Sequence, residues 1–392
     1  MSLPNFPSAR QYPFIDGLRA IAILLVLTHH ARRGFDFDHL FQNSVVVLNW
    51  IYFNAHKYFN IDLTSFYYFI RDVACHFKGV LGMEIFFVIS GFLITTILLK
   101  GELKRVNAVD FYRRRFFKIY PSYVIMVLAS LVVLAWQEQK AFIDIVGVGI
   151  RHLLLLQNYF SQEAVLGHTW SMVIIEQFYL FSPAVCWVII KLFKSVEDRR
   201  RALIILCLLL IVSAHFVRWY YFNTQQAWLS WPLASPIPYW TTSYHLDALA
   251  AGVLLKLLGS SYQGKLPKKI AWALWGFGFS VFYYLFFYID WSYYWGEWYL
   301  YSLGLLSILA IIIAAFNGVM VLTRLTVLQW IGRHSYGIYL WHYLILMFWS
   351  QFLGKVPVTV LFIAYLVTAI LAGVISTKTI ERYFLTFRER RA

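Results

Sequence analysis

Long apolar stretches alternate with short polar ones along most of the 392-residue chain. Ten of the apolar stretches are close to the roughly 20 residues that an α-helix needs to cross a bilayer. The predicted spans are residues 14–31, 80–99, 119–136, 170–190, 202–222, 240–258, 270–289, 298–316, 332–351 and 357–377. An eleventh stretch, 141–156, is interrupted by Asp144, Arg151 and His152. The pattern predicts an all-α polytopic transmembrane helical bundle of about ten spans plus one interfacial or re-entrant segment.

The composition supports a membrane protein and excludes an ordinary soluble domain, because 60% of the residues are hydrophobic and only 14% are charged. The first residues, MSLPNFPSARQYPF, lack the order of charged, apolar and cleavage regions that marks a signal peptide. We therefore expect the first helix to remain in the mature protein. The three cysteines lack metal-site spacing, and we predict no metal.

The distribution of lysine and arginine predicts the orientation of the chain, because these residues concentrate in cytoplasmic loops. With the amino terminus inside, 25 of the 34 lie in inner segments, 8 in outer segments, and Arg218 within a span. Both termini are then cytoplasmic in a cell (inner or plasma) membrane. A full crossing at 141–156 would place the run KLFKSVEDRRR outside, which is why we interpret that stretch as interfacial or re-entrant.

The net charge of +15 lies mainly in short loops beside apolar spans. This placement favours membrane lipids and an anionic cytoplasmic ligand as partners, and we predict no nucleic-acid binding. We predict one membrane-embedded domain, 1–392, with an outer aromatic-rich insertion at 32–79. The insertion is either a cap that stacks on an acceptor sugar or an aromatic belt on the outer leaflet.

The first span carries an arginine and a histidine in an otherwise apolar helix. Ten residues separate Arg19 from His30, so their side chains share one helical face roughly 16 Å apart along the axis. Ionisable residues within a membrane are expensive and mark functional sites by default. The alternative is an arginine that snorkels to the headgroups and a terminal histidine that meets outer water.

Six motifs occur in the order found in the acyltransferase-3 family of integral membrane O-acyltransferases, which the chain resembles over nearly its whole length. They are DGLRAIAILLVLTHH from Asp16, GMEIFFVISGFLITTILL from Gly82, FYRRRFFKIYPSY from Phe111, HTWSMVIIEQFYLFSP from His168, HLDALAAGVLL from His245 and SYGIYLWHYLI from Ser335. The resemblance implies transfer of an acyl group, usually acetyl, from cytoplasmic acyl-CoA to a hydroxyl on a carbohydrate or lipid-linked acceptor.

The resemblance also implies site residues. Arg19 and His30 match the family's essential pair, with His29 as a rival for His30. The family's basic stretch falls on Arg114, Arg115, Lys118 and Pro121, with Lys118 where arginine is commoner. Its Trp-Ser-Leu-x-x-Glu-Glu-Gln-Phe stretch falls on Trp170, Ser171, Glu176, Gln177 and Phe178; Ile175 replaces the first acid. Glu84 stands where many members have aspartate.

Acyl transfer to a hydroxyl needs a base, a site for the developing oxyanion and recognition of the thioester carrier. His30 is predicted to be the base, with Glu176 as its orienting carboxylate. Arg114, Arg115 and Lys118, together with Arg19, are predicted to bind the acyl-CoA donor; alternatively, the basic segment is a topology signal that contacts anionic lipid. Direct attack and an acyl-histidine intermediate both stay open.

The remaining intramembrane polar residues are secondary candidates. His342 is as compatible with helix packing as with catalysis, and Asp247 beside His245 ranks below Glu84. The alternative function is a secondary transporter or exporter of a glycan or small anionic solute. A transporter would predict internal repeats and broken helices, which we do not find in the sequence.

Overall fold

The computed structural model of the protein describes residues 12–35, 79–98, 108–138, 142–160, 165–224, 237–289, 298–319, 321 and 323–390. Within these ranges all regular elements are helical, which confirms the all-α prediction. The helices are α1 Pro13–Gly34, α2 Gly79–Leu98, α3 Ala108–Glu138, α4 Phe142–Leu153, α5 Trp170–Leu192, α6 Val196–Thr224, α7 Ile237–Trp240, α8 Leu246–Leu257, α9 Gly259–Tyr262, α10 Lys268–Phe287, α11 Trp298–Phe316, α12 Thr326–Arg333, α13 Ser335–Ser350, α14 Val358–Ser376 and α15 Arg382–Arg390.

Eight helices in the described ranges are long and apolar enough to cross a membrane: α1, α2, α3, α5, α6, α10, α11 and α14. The prediction of a multi-pass membrane protein is therefore confirmed. Two predicted spans, 240–258 and 332–351, contain the shorter helices α8, with 12 residues, and α13, with 16. These helices extend about 18 and 24 Å, less than the roughly 30 Å of a hydrocarbon core. Ten crossings and cytoplasmic termini stay predictions.

The stretch predicted as interfacial or re-entrant forms the short helix α4. Phe142 and Ile143 near its start are strongly exposed, and the chain then turns into a 3₁₀ segment, Gln157–Tyr159. Gln157 and Asn158 in this turn are buried and hydrogen-bonded. An apolar exposed face followed by an anchored polar turn supports a helix that lies on the bundle. The predicted outer insertion falls, between residues 36 and 78, outside the described residues.

Helices α1 and α2 form the centre of the bundle. About 61% of the apolar window of α1 and 83% of that of α2 are buried, against 22% for α6 and α10. Helix α1 begins with Pro13 at its first position and has Asp16 in its first turn, both favourable at a helix amino terminus. Its side chains pack against α2, α12 and α13. The helix that carries Arg19 and His30 is thus enclosed by protein.

Two glycines set the distance between α2 and α8. A Cβ atom added at Gly91 would overlap the backbone oxygen of Leu249, and one added at Gly252 would overlap that of Val88. Small residues allow such close backbone approach between membrane helices. The two glycines hold α8 against α2 and so fix the position of Asp247 at the start of α8.

Replacing Gly252 by alanine is expected to destabilise the protein by about 1–3 kcal/mol, because the added methyl group meets backbone that has no room to move. The matched control is Gly276→Ala in α10, where nothing lies within 4 Å of the added atom. A thermal unfolding curve in detergent compares the two. Equal melting temperatures for both variants would show that the α2–α8 contact tolerates a methyl group.

Candidate functional site

The imidazoles of His30 and His342 meet between α1 and α13. Nδ1 of His30 lies 3.1 Å from Nε2 of His342, and Nδ1 of His342 lies 2.6 Å from the backbone oxygen of Tyr339. A carbonyl oxygen only accepts, so Nδ1 of His342 carries a proton and, in the neutral ring, Nε2 accepts. His30 therefore donates through Nδ1, and its lone pair lies on Nε2. An imidazole in this tautomer has the unprotonated ring nitrogen that a general base needs.

Tyr339 links this pair to a third imidazole. Its backbone oxygen accepts from His342, while its hydroxyl donates to the backbone oxygen of His168. Because the tyrosine proton is used in that bond, the hydroxyl of Ser171, 2.8 Å away, donates to the tyrosine oxygen. Tyr339, Ser171 and His342 are all buried. Tyr339 of α13 thus contacts both the turn before α5, through its hydroxyl, and the ring of His342, through its backbone oxygen.

His168 and Tyr343 complete the wall around the pair. The rings of His168 and Tyr343 stack with centroids 5.1 Å apart and an interplanar angle of 8°. The edge of Tyr343 faces His30, with centroids 5.2 Å apart, and His168 lies 4.9 Å from His342. Three imidazoles therefore lie side by side, yet no three His, Cys, Asp or Glu side chains in the described ranges are grouped as metal ligands. We call His30, His168 and His342 the histidine cluster.

Arg19 lies at the opposite end of α1, about 16 Å along the axis from His30. Its side chain is 21% exposed, and Nη1 lies 3.9 Å from a carboxylate oxygen of Asp16. Lys118 of α3 interacts electrostatically with Arg19, Asp16, Arg115 and Glu381. Cations and carboxylates are intermixed here. The structure thus places two predicted donor-binding residues, Arg19 and Lys118, in one charged group.

Arg115 and Glu176 continue this charged group toward α5. The guanidinium carbon of Arg115 lies 4.5 Å from the centroid of the Tyr179 ring, in cation–π geometry. Glu176, one helical turn before Tyr179, interacts electrostatically with Arg115. The sequence suggested Glu176 as the group that orients His30. In the structure, His30 hydrogen-bonds to His342, and Glu176 interacts with Arg115; the orienting role of Glu176 stays a prediction.

Arg114 is exposed and pairs within its own helix. Its side chain is 54% exposed, and Nε lies 2.8 Å from Oδ2 of Asp110 one turn earlier. An exposed ion pair of this kind contributes little to stability, which leaves the guanidinium available to an anion in the aqueous phase. The same basic stretch of sequence also contains Lys100, Lys104 and Arg105, which fall outside the described residues.

The secondary candidates lie outside the His30–His342 pair except for His342 itself, and Glu84 interacts electrostatically with Asp247 and Arg218. The Cβ atom and ring of His29 lie against Gly79 of α2, and its ring centroid lies 5.4 Å from that of His30. Glu84 is buried, and its Oε2 has no hydrogen-bond partner among the described residues. Trp170 packs in an aromatic group with Phe87, Tyr239 and His245, at centroid distances of 6.4, 5.1 and 5.2 Å.

Asp247 pairs with Arg218 in the interior of the bundle. The two side chains are 4% and 1% exposed and form a bidentate ion pair, in which Nη1 of Arg218 lies 3.2 Å from Oδ1 of Asp247. The same Nη1 donates to the backbone oxygen of Tyr244 at 2.8 Å, and the guanidinium lies over the ring of Tyr301. This pair joins α6 to α8 and supplies Asp247 with a structural partner.

Sequence reasoning did not single out His168, Tyr339 or Arg218 as site or partner residues. A signal existed for Arg218, since an arginine within a span requires a counter-charge inside the bundle. His168 directly precedes the Thr-Trp-Ser stretch, but its contact with His342 joins residues 174 positions apart. No local pattern indicates such a pairing.

Comparison with known proteins identifies a matching family and curated relatives. The profile of the family described as "Acyltransferase domain" matches residues 12–377. The O-acetyltransferase OatA of Staphylococcus aureus (strain NCTC 8325 / PS 47) is 26% identical over 95% of this chain and 57% of its own length. A putative O-acetyltransferase of S. aureus (strain COL) is 27% identical over 97% of this chain and 58% of its own length. The chain thus spans less than three-fifths of these relatives. No solved structure matches it.

Proposed function

Because the chain belongs to the acyltransferase-3 family, we propose that it transfers an acetyl group from cytoplasmic acyl-CoA to a hydroxyl of a cell-surface carbohydrate or related lipid-linked acceptor. The observation that carries the proposal is the His30–His342 hydrogen bond inside a membrane-embedded bundle. It gives His30 the tautomer of a general base, on the helix that also carries Arg19. The acetyl group is favoured because the matched relatives are called O-acetyltransferases.

The proposed step is a direct transfer. Nε2 of His30 takes the proton of the acceptor hydroxyl, and the acceptor oxygen forms a bond to the thioester carbon. The carbon–sulfur bond then breaks, and the sulfur of the leaving coenzyme A takes the proton from His30. His342 is a positioning residue in this scheme, because its bond to Nδ1 holds the base and stabilises the imidazolium.

The charged group around Arg19 is the proposed binding region for the donor. Arg19, Arg115 and Lys118 cluster electrostatically at the end of α1 remote from His30. Guanidinium groups bind phosphate oxygens in a forked geometry, and coenzyme A carries phosphates. The pantetheine arm would then run along α1 from the cations to the histidine cluster. Glu176 acts here by holding Arg115 in place.

The direct test uses the purified chain in lipid nanodiscs with acetyl-CoA and a short oligosaccharide as acceptor. The expected products are free coenzyme A and acetylated sugar, and both are followed by mass spectrometry. A protein that binds coenzyme A but forms no acetylated sugar would have another acceptor. A protein that neither binds coenzyme A nor consumes acetyl-CoA would contradict the proposed function.

Changing Arg114 and Arg115 together to glutamine is expected to raise the KM for acetyl-CoA about tenfold or more, since two phosphate-binding cations are removed. The KM for the acceptor should change little. The matched control is the double variant Lys265→Gln/Lys269→Gln, which removes the same charge from exposed positions in the loop before α10 and at its start. An equal rise in the KM for acetyl-CoA in both double variants would show that only net charge matters. An unchanged KM in the Arg114/Arg115 variant would show that these arginines do not bind the donor.

A further inference from the structure

His168 is a buried imidazole whose two ring nitrogens are poorly satisfied. The residue is 3% exposed, and neither Nδ1 nor Nε2 has a partner in good hydrogen-bond geometry among the described residues, although the backbone of Leu340 interacts with the ring. An unsatisfied buried polar group costs about 1–3 kcal/mol, and natural proteins retain few of them. A ring with two such atoms therefore requires an explanation other than folding stability.

The ring is nonetheless held firmly in place. Its face stacks on Tyr343, its edge contacts His342, and its backbone oxygen accepts the hydroxyl of Tyr339. His30 contacts the same two rings, with centroids 5.0 Å from His342 and 5.2 Å from Tyr343. His168 and His30 thus share the neighbours His342 and Tyr343. A small group bound against these two rings would lie beside both imidazoles.

The position of His168 in the chain favours an anionic ligand atom. It lies in the 3₁₀ turn Gly167–Thr169, which leads directly into the 23-residue helix α5. The amino terminus of a helix carries a partial positive charge and unpaired N–H groups. A neutral imidazole in either tautomer presents one N–H donor. The donor and the helix end together suit an oxygen that gains negative charge.

We propose that His168 is a further catalytic residue, whose ring N–H donates a hydrogen bond to the acetyl carbonyl oxygen during transfer. The inference rests on the proposed function. While the acceptor oxygen forms its bond to the carbonyl carbon and its proton passes to His30, the carbonyl π electrons move to oxygen, and His168 stabilises that oxyanion. The oxygen reforms its double bond as the carbon–sulfur bond breaks, and His168 ends the step with its proton unchanged.

The test replaces His168 by phenylalanine, which keeps the stacked ring and removes both nitrogens, and by glutamine, which keeps an N–H donor. Loss of an oxyanion donor is expected to lower kcat for coenzyme A release from acetyl-CoA by about 10²- to 10³-fold in His168→Phe. Binding of coenzyme A should not change. His168→Gln should recover part of kcat.

Thermal stability separates this role from a structural one. Because His168→Phe removes two unsatisfied polar atoms, its melting temperature should equal or exceed that of the wild type. The inference is overturned by a His168→Phe variant that keeps its kcat, or by one that unfolds at lower temperature or fails to fold. A wild type that consumes no acetyl-CoA would contradict the proposed function itself, whereas an active wild type with active His168→Phe contradicts only the oxyanion role.

Discussion

Replacing His30 by alanine is expected to lower acetyl transfer by about 10²- to 10⁴-fold, the range that loss of a general base produces. The reason is the tautomer imposed through His342, which leaves the lone pair of His30 on Nε2. The rate is measured as coenzyme A released from acetyl-CoA by protein in nanodiscs. Binding of coenzyme A should persist, because the charged group around Arg19 is about 16 Å away along α1.

Two sets of variants control this prediction. His29→Ala is the matched neighbour, and its ring lies against Gly79, so we expect it to retain activity. His342→Gln keeps an oxygen that accepts the proton of His30 and should be more active than His342→Phe. If His29→Ala is inactive and His30→Ala is active, the base is one residue earlier in the chain.

Replacing Asp247 by leucine is expected to destabilise the protein by about 3–5 kcal/mol, because it leaves the guanidinium of Arg218 buried without its counter-charge. Unfolding can be followed with a thiol-reactive dye, since Cys186 and Cys207 are buried free thiols that become accessible as the bundle opens. We expect a much lower melting temperature, or no folded protein after extraction.

The double variant Arg218→Met/Asp247→Leu separates packing from catalysis. Replacement of both members of a buried ion pair by apolar residues is often neutral, so the melting temperature should recover. If acetyl transfer recovers as well, Asp247 is structural. A double variant that folds well and has no activity would instead support Asp247 as a reacting group. Single Asp247→Leu protein as stable as the wild type would show that the ion pair contributes nothing.

The helices were largely predictable because apolar length is a property of the local sequence. The run from Gly82 to Leu99 predicts a buried span, and α2 is indeed the most enclosed of the eight candidate spans. The short helices α8 and α13 show the limit of this reasoning. Apolar runs near 20 residues there include 3₁₀ turns and a break between α12 and α13. Hydropathy gives the length of an apolar run but does not indicate where the helix within it ends.

The site was predictable along α1 and less so between helices. The spacing of Arg19 and His30 follows from helical periodicity alone, whereas the partner of His30 depends on how α1 packs against α13. Glu176 was chosen as the orienting group by chemistry, and the charged partner that packing gives it is Arg115. Which polar groups meet is decided by tertiary packing, and contacts such as that between His30 and His342 span 312 positions in the sequence.

Helix α1 carries both ends of the proposed site, Arg19 and His30, and fixes the distance between them. Between Arg19 and His30 lie only helix-compatible residues without glycine or proline, and the flanking Ala20 and Ala22 are completely enclosed. Such a segment has no hinge at which the interval could stretch or shrink. Selection among acyl carriers would then depend on the reach of the arm that bears the thioester. A truncated thioester that contacts the imidazole of His30 would be too short to contact the cations around Arg19, whatever acyl group it carries.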